Sequence, residues 1–181
     1  MKYSKEEVMP YVGEDDVKFI RLVFCDVFGK QKNIAIVPEE LARAFDTGIA
    51  FDASSVDGFG DEMHSDLFLQ PEPDTLAVLP WRPEHGKVIR MFSQVVYPSG
   101  EAYECDTRNL LKKAVAAAKA EGLTFNFGVE QEFYLFLLDE NGEPNKIPYD
   151  QAGYMDLAPG DKGENIRREI CLTLEEMGIH P

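Results

Sequence analysis

Two glutamates separated by one residue, Glu130 and Glu132, are the side chains whose type and spacing most directly indicate chemistry in this sequence. They lie in residues 125–138, which read FNFGVEQEFYLFLL. If this stretch is a β-strand, both carboxylates lie on one face, roughly 7 Å apart, and the other face is almost wholly apolar. Glutamate is depleted in strands, so the pair is either part of a solvated face or a site for a hard cation such as Mg²⁺ or Mn²⁺. The residues alone leave both interpretations open.

The composition excludes several classes of protein. The chain has 181 residues, 44% of them apolar, and 33 acidic against 18 basic residues give a formal net charge of −15. This charge repels nucleic acid and anionic membrane surfaces, so neither partner is expected. No apolar run has the length of a signal-peptide core or a membrane span. Three widely spaced cysteines without a CxxC pair, Cys25, Cys105 and Cys171, predict reduced thiols in a cytoplasmic protein.

The beginning of the chain predicts a helix followed by a hairpin. Ser4 and Glu7 have the spacing of a capping box, which predicts a short helix that ends near Pro10. Residues 17–25 and 33–37 are rich in β-branched and aromatic side chains and flank a turn that contains glycine. This arrangement predicts a β-hairpin.

A second helix and further strands complete the predicted first domain. Pro38 suits the first turn of a helix of about eight residues. Its apolar stripe consists of Leu41, Ala42 and Phe45. After an irregular region, three more β-like stretches follow at 67–69, 76–79 and 88–96. A hairpin, a helix and then more strands predict an α+β domain of the β-grasp type.

The second part of the chain predicts helices around the two-glutamate stretch. The turn-rich residues 98–101 are the expected boundary between a domain at 1–98, with its core at about 15–98, and a second one at 99–181. Asp106 caps a predicted helix over 107–121. Asp161 and Glu164 are predicted to cap another helix, with a buried face formed by Ile166, Ile170, Leu174 and Met177. The pattern at the last residues predicts the opening of a strand, so we expect the second domain to be incomplete.

Three stretches, taken together, resemble the glutamine synthetase family. They read FDASSVDGF at 51–59, GVEQEFYLF at 128–136 and GYMDLAPGDKGENIRREICLTLEEMG at 153–178. The resemblance runs from about residue 17 to the last residue and is typical of the bacterial type. It implies a β-grasp domain followed by the truncated start of a catalytic domain, an antiparallel sheet with helices. It also implies a homo-oligomeric ring of subunits.

The resemblance implies ATP-dependent amidation of glutamate through a γ-glutamyl phosphate, with glutamate, ammonia and ATP as substrates. It assigns Glu130 and Glu132 to Mg²⁺ or Mn²⁺, whose charge is needed to neutralise the transferring phosphoryl group. It assigns Asp52, with Ser55 beside it, to binding ammonium and removing its proton. Tyr154 would line the same ammonium pocket, where its hydroxyl can accept a hydrogen bond.

Most of the implied active site lies outside this sequence. The family's other metal ligands, most of its ATP contacts and its substrate-binding arginines fall beyond residue 181, and Asp52 would serve the cleft of a neighbouring subunit. The chain alone is therefore expected to be inactive. Two alternatives remain: a sister ligase that joins glutamate to a polyamine or methylamine, and a non-catalytic β-grasp interaction module whose acidic strand is a solvated face or a weak Ca²⁺ patch.

Overall fold

A computed structural model describes residues 2–60, 65–81 and 83–181 of the chain. The chain divides into two compact units, Met1–Phe125 and Asn126–Pro181. Within the described residues, no helix is both long enough and apolar enough to cross a membrane. The boundary at 98–101 stays a prediction.

The described part of the first unit combines three helices with a six-stranded sheet. The helices are α1 (Lys5–Glu14), α2 (Leu41–Asp46) and α3 (Thr107–Ala120). The strands are β1 (Val17–Cys25), β2 (Gln31–Ile36), β3 (Ile49–Asp52), β4 (Asp66–Pro71), β5 (Ala77–Leu79) and β6 (Lys87–Val96). The sheet order is β2-β1-β6-β4-β3, and β5 also pairs with β6. β1 and β6 are parallel and the other pairs are antiparallel, so the unit has the predicted α+β character.

The core of the first unit lies at the centre of this sheet. Ile20 and Leu22 of β1 are paired in register with Ile89 and Met91 of β6, and all four side chains are inaccessible to solvent. Each fully buried side chain of this size stabilises the fold by roughly 1.5–3 kcal/mol. The central parallel pair therefore contributes substantially to the stability of the unit.

The first helix is longer than its sequence predicts. The capping box of Ser4 and Glu7 is present, but α1 continues through Pro10 to Glu14, so the predicted end is wrong. Proline lacks the N–H that a helix interior needs and normally ends a helix. Here Val8 and Val12, four residues apart, are both buried on the core side. Their packing holds the second and third turns in helical form.

Two further sequence predictions need correction in the first unit. The helix after Pro38 consists of a 3-10 turn, Pro38–Glu40, followed by α2, and its buried stripe includes Ala44 rather than Ala42. The region expected to be irregular contains β3, which pairs antiparallel with β4 from Ile49↔Leu69 to Asp52↔Asp66. A four-residue edge strand is too short to show a period in sequence.

The second unit contains little regular structure. Its elements are β7 (Phe136–Leu138), β8 (Pro144–Pro148) and α4 (Glu164–Glu176). β7 and β8 form an antiparallel pair, and the Asp139 carboxylate closes the turn between them by accepting hydrogen bonds from the N–H groups of Asn141 at 2.8 Å and Glu143 at 2.9 Å.

The predicted strand at 125–138 is wrong for most of its length. Only Phe136–Leu138 is a strand, and residues 123–135 have no strand partner in the described part of the chain. Alternating side chains can form a strand only where a second strand satisfies the backbone N–H and C=O groups. The short β8 provides that partner for the end of the stretch alone.

The helix α4 forms as predicted, but its cap and its burial differ. Gly163 is the N-cap, without a side-chain hydrogen bond, so Asp161 and Glu164 are not the caps. No residue of α4 is fully buried, and Ile166 and Ile170 are 37% and 41% exposed. The small β7–β8 sheet offers too little surface to cover an apolar helix face.

Gly58 allows a close contact that holds the segment between β3 and β4. Its φ is +78°, and a Cβ atom at this position would lie 2.2 Å from Cγ2 and 3.0 Å from Cβ of Val27, in the turn between β1 and β2. Rotating the Val27 side chain cannot relieve a clash that includes its Cβ. Gly100 has a similar φ of +85° but nothing within 4 Å, which makes it a matched control.

We predict that Gly58→Ala lowers the free energy of unfolding by about 2–5 kcal/mol, because left-handed backbone strain and overpacking add. Gly100→Ala should lower the free energy of unfolding by only about 1 kcal/mol, the contribution of the left-handed backbone alone. Urea unfolding of both variants measures the difference. Equal losses would show that the contact with Val27 does not constrain this segment.

Candidate active-site residues

Asp52 lies at the end of β3 and begins a 3-10 turn, Ala53–Ser55. Its Oδ1 accepts hydrogen bonds from the Ser54 N–H at 3.0 Å and the Ser54 hydroxyl at 2.6 Å. The side chains of Asp52 and Ser55 are exposed, whereas Ala53 between them is buried. The carboxylate therefore caps a turn with one oxygen and is held at the surface of the first unit.

An aromatic cluster anchors both ends of the segment that contains Asp52. Phe51 and Phe59 lie on either side of the segment, and both rings contact Phe24 of β1, with centroids 5.1 and 6.0 Å away. Phe59 also packs edge-on against Tyr103 at 5.2 Å. Such ring pairs add stability beyond the area they bury. The cluster and the Gly58–Val27 contact fix where Asp52 and Ser55 are presented.

Glu130 and Glu132 do not form the strand face that the sequence predicts. Both side chains are exposed, and both lie in the stretch that lacks a strand partner. Among the described residues, no group of three or more His, Cys, Asp or Glu side chains is arranged to hold a metal ion. Two carboxylates are nevertheless sufficient protein ligands for Mg²⁺ where phosphate and water complete its shell.

Glu132 and Tyr154 line the same hollow of the second unit, which we call the acidic hollow. Its volume is about 880 Å³. The lining residues are 131–135, 148–156, Asp161, Gly163 and Arg167. Glu130 is not among them, so the structure brings the predicted tyrosine together with one of the two predicted metal ligands. Tyr154 is 92% exposed.

Three aspartates of the acidic hollow hold its backbone in place. Asp150 accepts from the N–H groups of Ala152 at 3.3 Å and Lys162 at 2.8 Å, and so ties together two points twelve residues apart. Asp156 accepts from the Gly153 N–H at 2.7 Å.

The third aspartate, Asp161, is nearly buried. It accepts from the Gly163 N–H at 2.9 Å and pairs with the Arg167 guanidinium. That hydrogen-bonded pair lowers the pKa of Asp161 and raises the pKa of Arg167.

These roles leave Glu132 as the carboxylate of the hollow without a partner among the described residues. The sequence analysis selected Asp161, as a helix cap, but did not identify Asp150 or Asp156. The sequence signal for two of these aspartates is local. The carboxylates of Asp150 and Asp161 each accept a hydrogen bond from the N–H group two residues later, which is the pattern of an Asx-turn. Asp156 instead bonds backward, to the N–H three residues before it.

Two family models match the chain. One described as "Glutamine synthetase, beta-Grasp domain" matches residues 16–98, and one described as "Glutamine synthetase, catalytic domain" matches residues 104–181. Curated relatives named glutamine synthetase include one from Clostridium saccharobutylicum, 50% identical over 98% of this chain, and one from Methanosarcina mazei, 45% identical over 97% of it. The chain spans 40% and 39% of the lengths of these two relatives.

Solved structures give the same fold. A Plasmodium falciparum glutamine synthetase matches with a TM-score of 0.76 at 19% identity, over 99% of this chain and 41% of that one. A structure described as a complex of GmaS with ADP matches with a TM-score of 0.71 at 21% identity, over 94% of this chain and 39% of that one. Together with the family model for residues 16–98, these matches confirm the predicted α+β fold with a β-grasp domain.

The pair of Asp161 with Arg167 predicts a pH-dependent contribution to stability. A carboxylate whose pKa is lowered by folding stabilises the protein above its ordinary value of about 4, and this stabilisation is lost as the pH falls through the lower, folded value. Asp161→Asn should therefore unfold at a lower urea concentration than the unmodified protein at pH 7, and the difference should shrink at pH 3.

Glu169→Gln, a substitution of an exposed residue on α4, the helix that contains Arg167, is the control. It should alter the free energy of unfolding by no more than about 0.5 kcal/mol at pH 7. A difference between Asp161→Asn and the unmodified protein that is equally large at both pH values would contradict this role of the ion pair.

Proposed function

The chain belongs to the glutamine synthetase family, and from that premise we propose that it is the N-terminal part of an ATP-dependent glutamate–ammonia ligase. The observation that carries the proposal is that the two family models match successive parts of one chain, at 16–98 and 104–181. We place this enzyme in the cytoplasm and in an assembly of identical subunits, as expected from the resemblance.

The proposed reaction has two steps. An oxygen of the glutamate γ-carboxylate attacks the γ-phosphorus of ATP, which forms γ-glutamyl phosphate and releases ADP. Ammonia then attacks the acyl carbon, the bond to the phosphate oxygen breaks, and glutamine and phosphate leave. Catalysis of phosphoryl transfer consists mainly of positioning and charge stabilisation.

We propose that Glu130 and Glu132 help to bind Mg²⁺ or Mn²⁺. Both carboxylates are exposed, and Glu132 lines the acidic hollow without a partner among the described residues. Hard oxygen donors of negative charge are the ligands these ions prefer. When bound, such ions would neutralise the nucleotide phosphates and the charge that develops on the transferring group.

We propose that Asp52, Ser55 and Tyr154 act on ammonium. Ammonium is not a nucleophile until it loses a proton, and a carboxylate both attracts the cation and can accept that proton. One oxygen of Asp52 caps its turn, which holds the carboxylate in a fixed direction. The hydroxyl groups of Ser55 and Tyr154 can each accept a hydrogen bond from the ion. In a ring, Asp52 would serve the cleft of a neighbouring subunit.

The amine that serves as acceptor distinguishes the proposed ammonia ligase from sister ligases that use methylamine or a polyamine. The solved GmaS structures share the fold, but at 21% identity they carry no information on the substrate of this chain. Comparing ammonium, methylamine and a polyamine as acceptors for the full-length enzyme decides between them. Glutamine formation from ammonium, with little product from the other amines, supports the ammonia ligase.

We predict that Glu130→Gln and Glu132→Gln each raise the Mg²⁺ concentration that the full-length enzyme needs for half-maximal glutamine formation. They should also lower kcat by about 100-fold or more, since even the outer-shell partners of metal ligands contribute 10- to 100-fold. Glu140→Gln, an exposed glutamate in the turn after β7, is the control and should leave both quantities unchanged. Unaltered Mg²⁺ dependence and kcat in both test variants would show that Glu130 and Glu132 are not metal ligands, and that the acidic stretch is a solvated face.

We predict that Asp52→Asn lowers kcat for glutamine formation by about 100- to 10,000-fold, the usual contribution of a general base. The KM for glutamate should change little, because Asp52 acts on the amine. Asp57→Asn, another exposed aspartate of the same segment, should behave like the unmodified enzyme. Equal effects of the two substitutions would remove Asp52 from the mechanism.

A further inference from the structure

The residues on either side of Tyr154 are bonded to each other. Residues 153–156 form a β-turn, which we call the Tyr154 turn, and the Asp156 N–H donates to the Gly153 carbonyl at 3.3 Å. In the opposite direction, Asp156 Oδ2 accepts from the Gly153 N–H at 2.7 Å. Asp156 therefore closes the turn twice, once through its backbone and once through its side chain.

The Tyr154 turn adopts a backbone conformation that its sequence disfavours. Met155, its third residue, has a φ of +62°, and a β-turn with positive φ at this position normally has glycine or asparagine there. A bulky side chain in the left-handed region persists only where other contacts determine the conformation. The side-chain bond between Asp156 and Gly153 is the shorter of the two bonds that close this turn, and it supplies such a contact.

The Tyr154 side chain depends on this backbone for its direction. It is 92% exposed, so side-chain packing contributes little to holding it. Asp150 and Asp161 act elsewhere: Asp150 ties residue 162 to the start of the loop, and Asp161 pairs with Arg167. Asp156 is the aspartate of the acidic hollow whose side chain closes the four-residue turn that contains Tyr154.

We propose that Asp156 is a positioning residue for Tyr154, which holds the phenol hydroxyl where it meets ammonium. This inference rests on the proposed function, because it assigns a role to Asp156 through the ammonium pocket. Asp156 does not touch the substrate in this proposal. It raises the affinity for ammonium by keeping the Tyr154 turn in its less favoured conformation before the substrate arrives.

The test uses steady-state kinetics of the full-length enzyme. Asp156→Ala should raise the KM for ammonium by about fivefold, the order expected for losing one hydrogen bond, and should leave the KM for glutamate within about twofold. Asp156→Asn keeps an oxygen that can accept from Gly153 and should restore the KM for ammonium to within about twofold. In a Tyr154→Phe background, Asp156→Ala should add less than about twofold, because the two residues act as one unit.

The matched control is Asp139→Ala. Asp139 also accepts backbone N–H bonds, in the β7–β8 turn, but it does not line the acidic hollow. The substitution should leave the KM for ammonium unchanged. An increase equal to that of Asp156→Ala would mean that any loosened turn has this effect, and it would overturn the inference.

A second measurement separates this inference from the proposed function. Hydrogen exchange at the Gly153 amide should become about fivefold faster in Asp156→Ala and stay unchanged in Asp139→Ala. If the unmodified full-length enzyme makes no glutamine, the proposed function is wrong and the inference falls with it. If the enzyme is active, unchanged Gly153 exchange, or equal Asp156→Ala effects with Tyr154 and with Tyr154→Phe, overturns the inference alone.

Discussion

The parallel pairing of β1 with β6 is the constraint on which the first unit depends. Two parallel neighbours cannot be joined by a tight turn, so the chain must leave β1 and return through a long connection. That connection contains β2, α2, β3, β4 and β5. Asp52 and Ser55 lie within it, at the edge of the sheet, where side chains need not be buried. The buried core thus stabilises the unit, and the connection contains Asp52 and Ser55, two of the three residues proposed to act on ammonium.

The two units are organised by different kinds of interaction. In the first, a buried apolar core and an aromatic cluster determine where each segment lies. In the second unit, carboxylates that accept hydrogen bonds from backbone N–H groups determine the path of the chain. Asp139 does so in the β7–β8 turn, and Asp150 and Asp161 do so in the loop that lines the acidic hollow. Each such bond contributes only about 1 kcal/mol or somewhat more in the case of a charged acceptor. The geometry of the acidic hollow therefore depends on several weak contacts that act together.

The sequence predicted the helices and turns that neighbouring residues determine. It did not predict the elements whose form depends on packing or strand pairing with distant residues. The capping box at Ser4, the hairpin and the helix α3 are read from neighbouring residues, and all three are present. The continuation of α1 through Pro10 depends on the core, and the strand predicted at 125–138 depends on a pairing partner, so neither follows from local pattern. For the site, the motifs selected Glu132 and Tyr154, and the structure places both at one hollow. Asp156 was missed because its bond to the Gly153 N–H runs backward across a turn, which becomes visible only once the loop is folded.

The unpaired residues 123–135 also have a consequence for handling the protein. Every residue from 123 to 134 is exposed, and the backbone there lacks the strand pairing that would keep it out of a protease cleft. Phe125 and Phe127 present aromatic side chains of the kind that a chymotrypsin-like specificity pocket accepts. Limited digestion at this stretch should therefore release the first unit as a folded fragment.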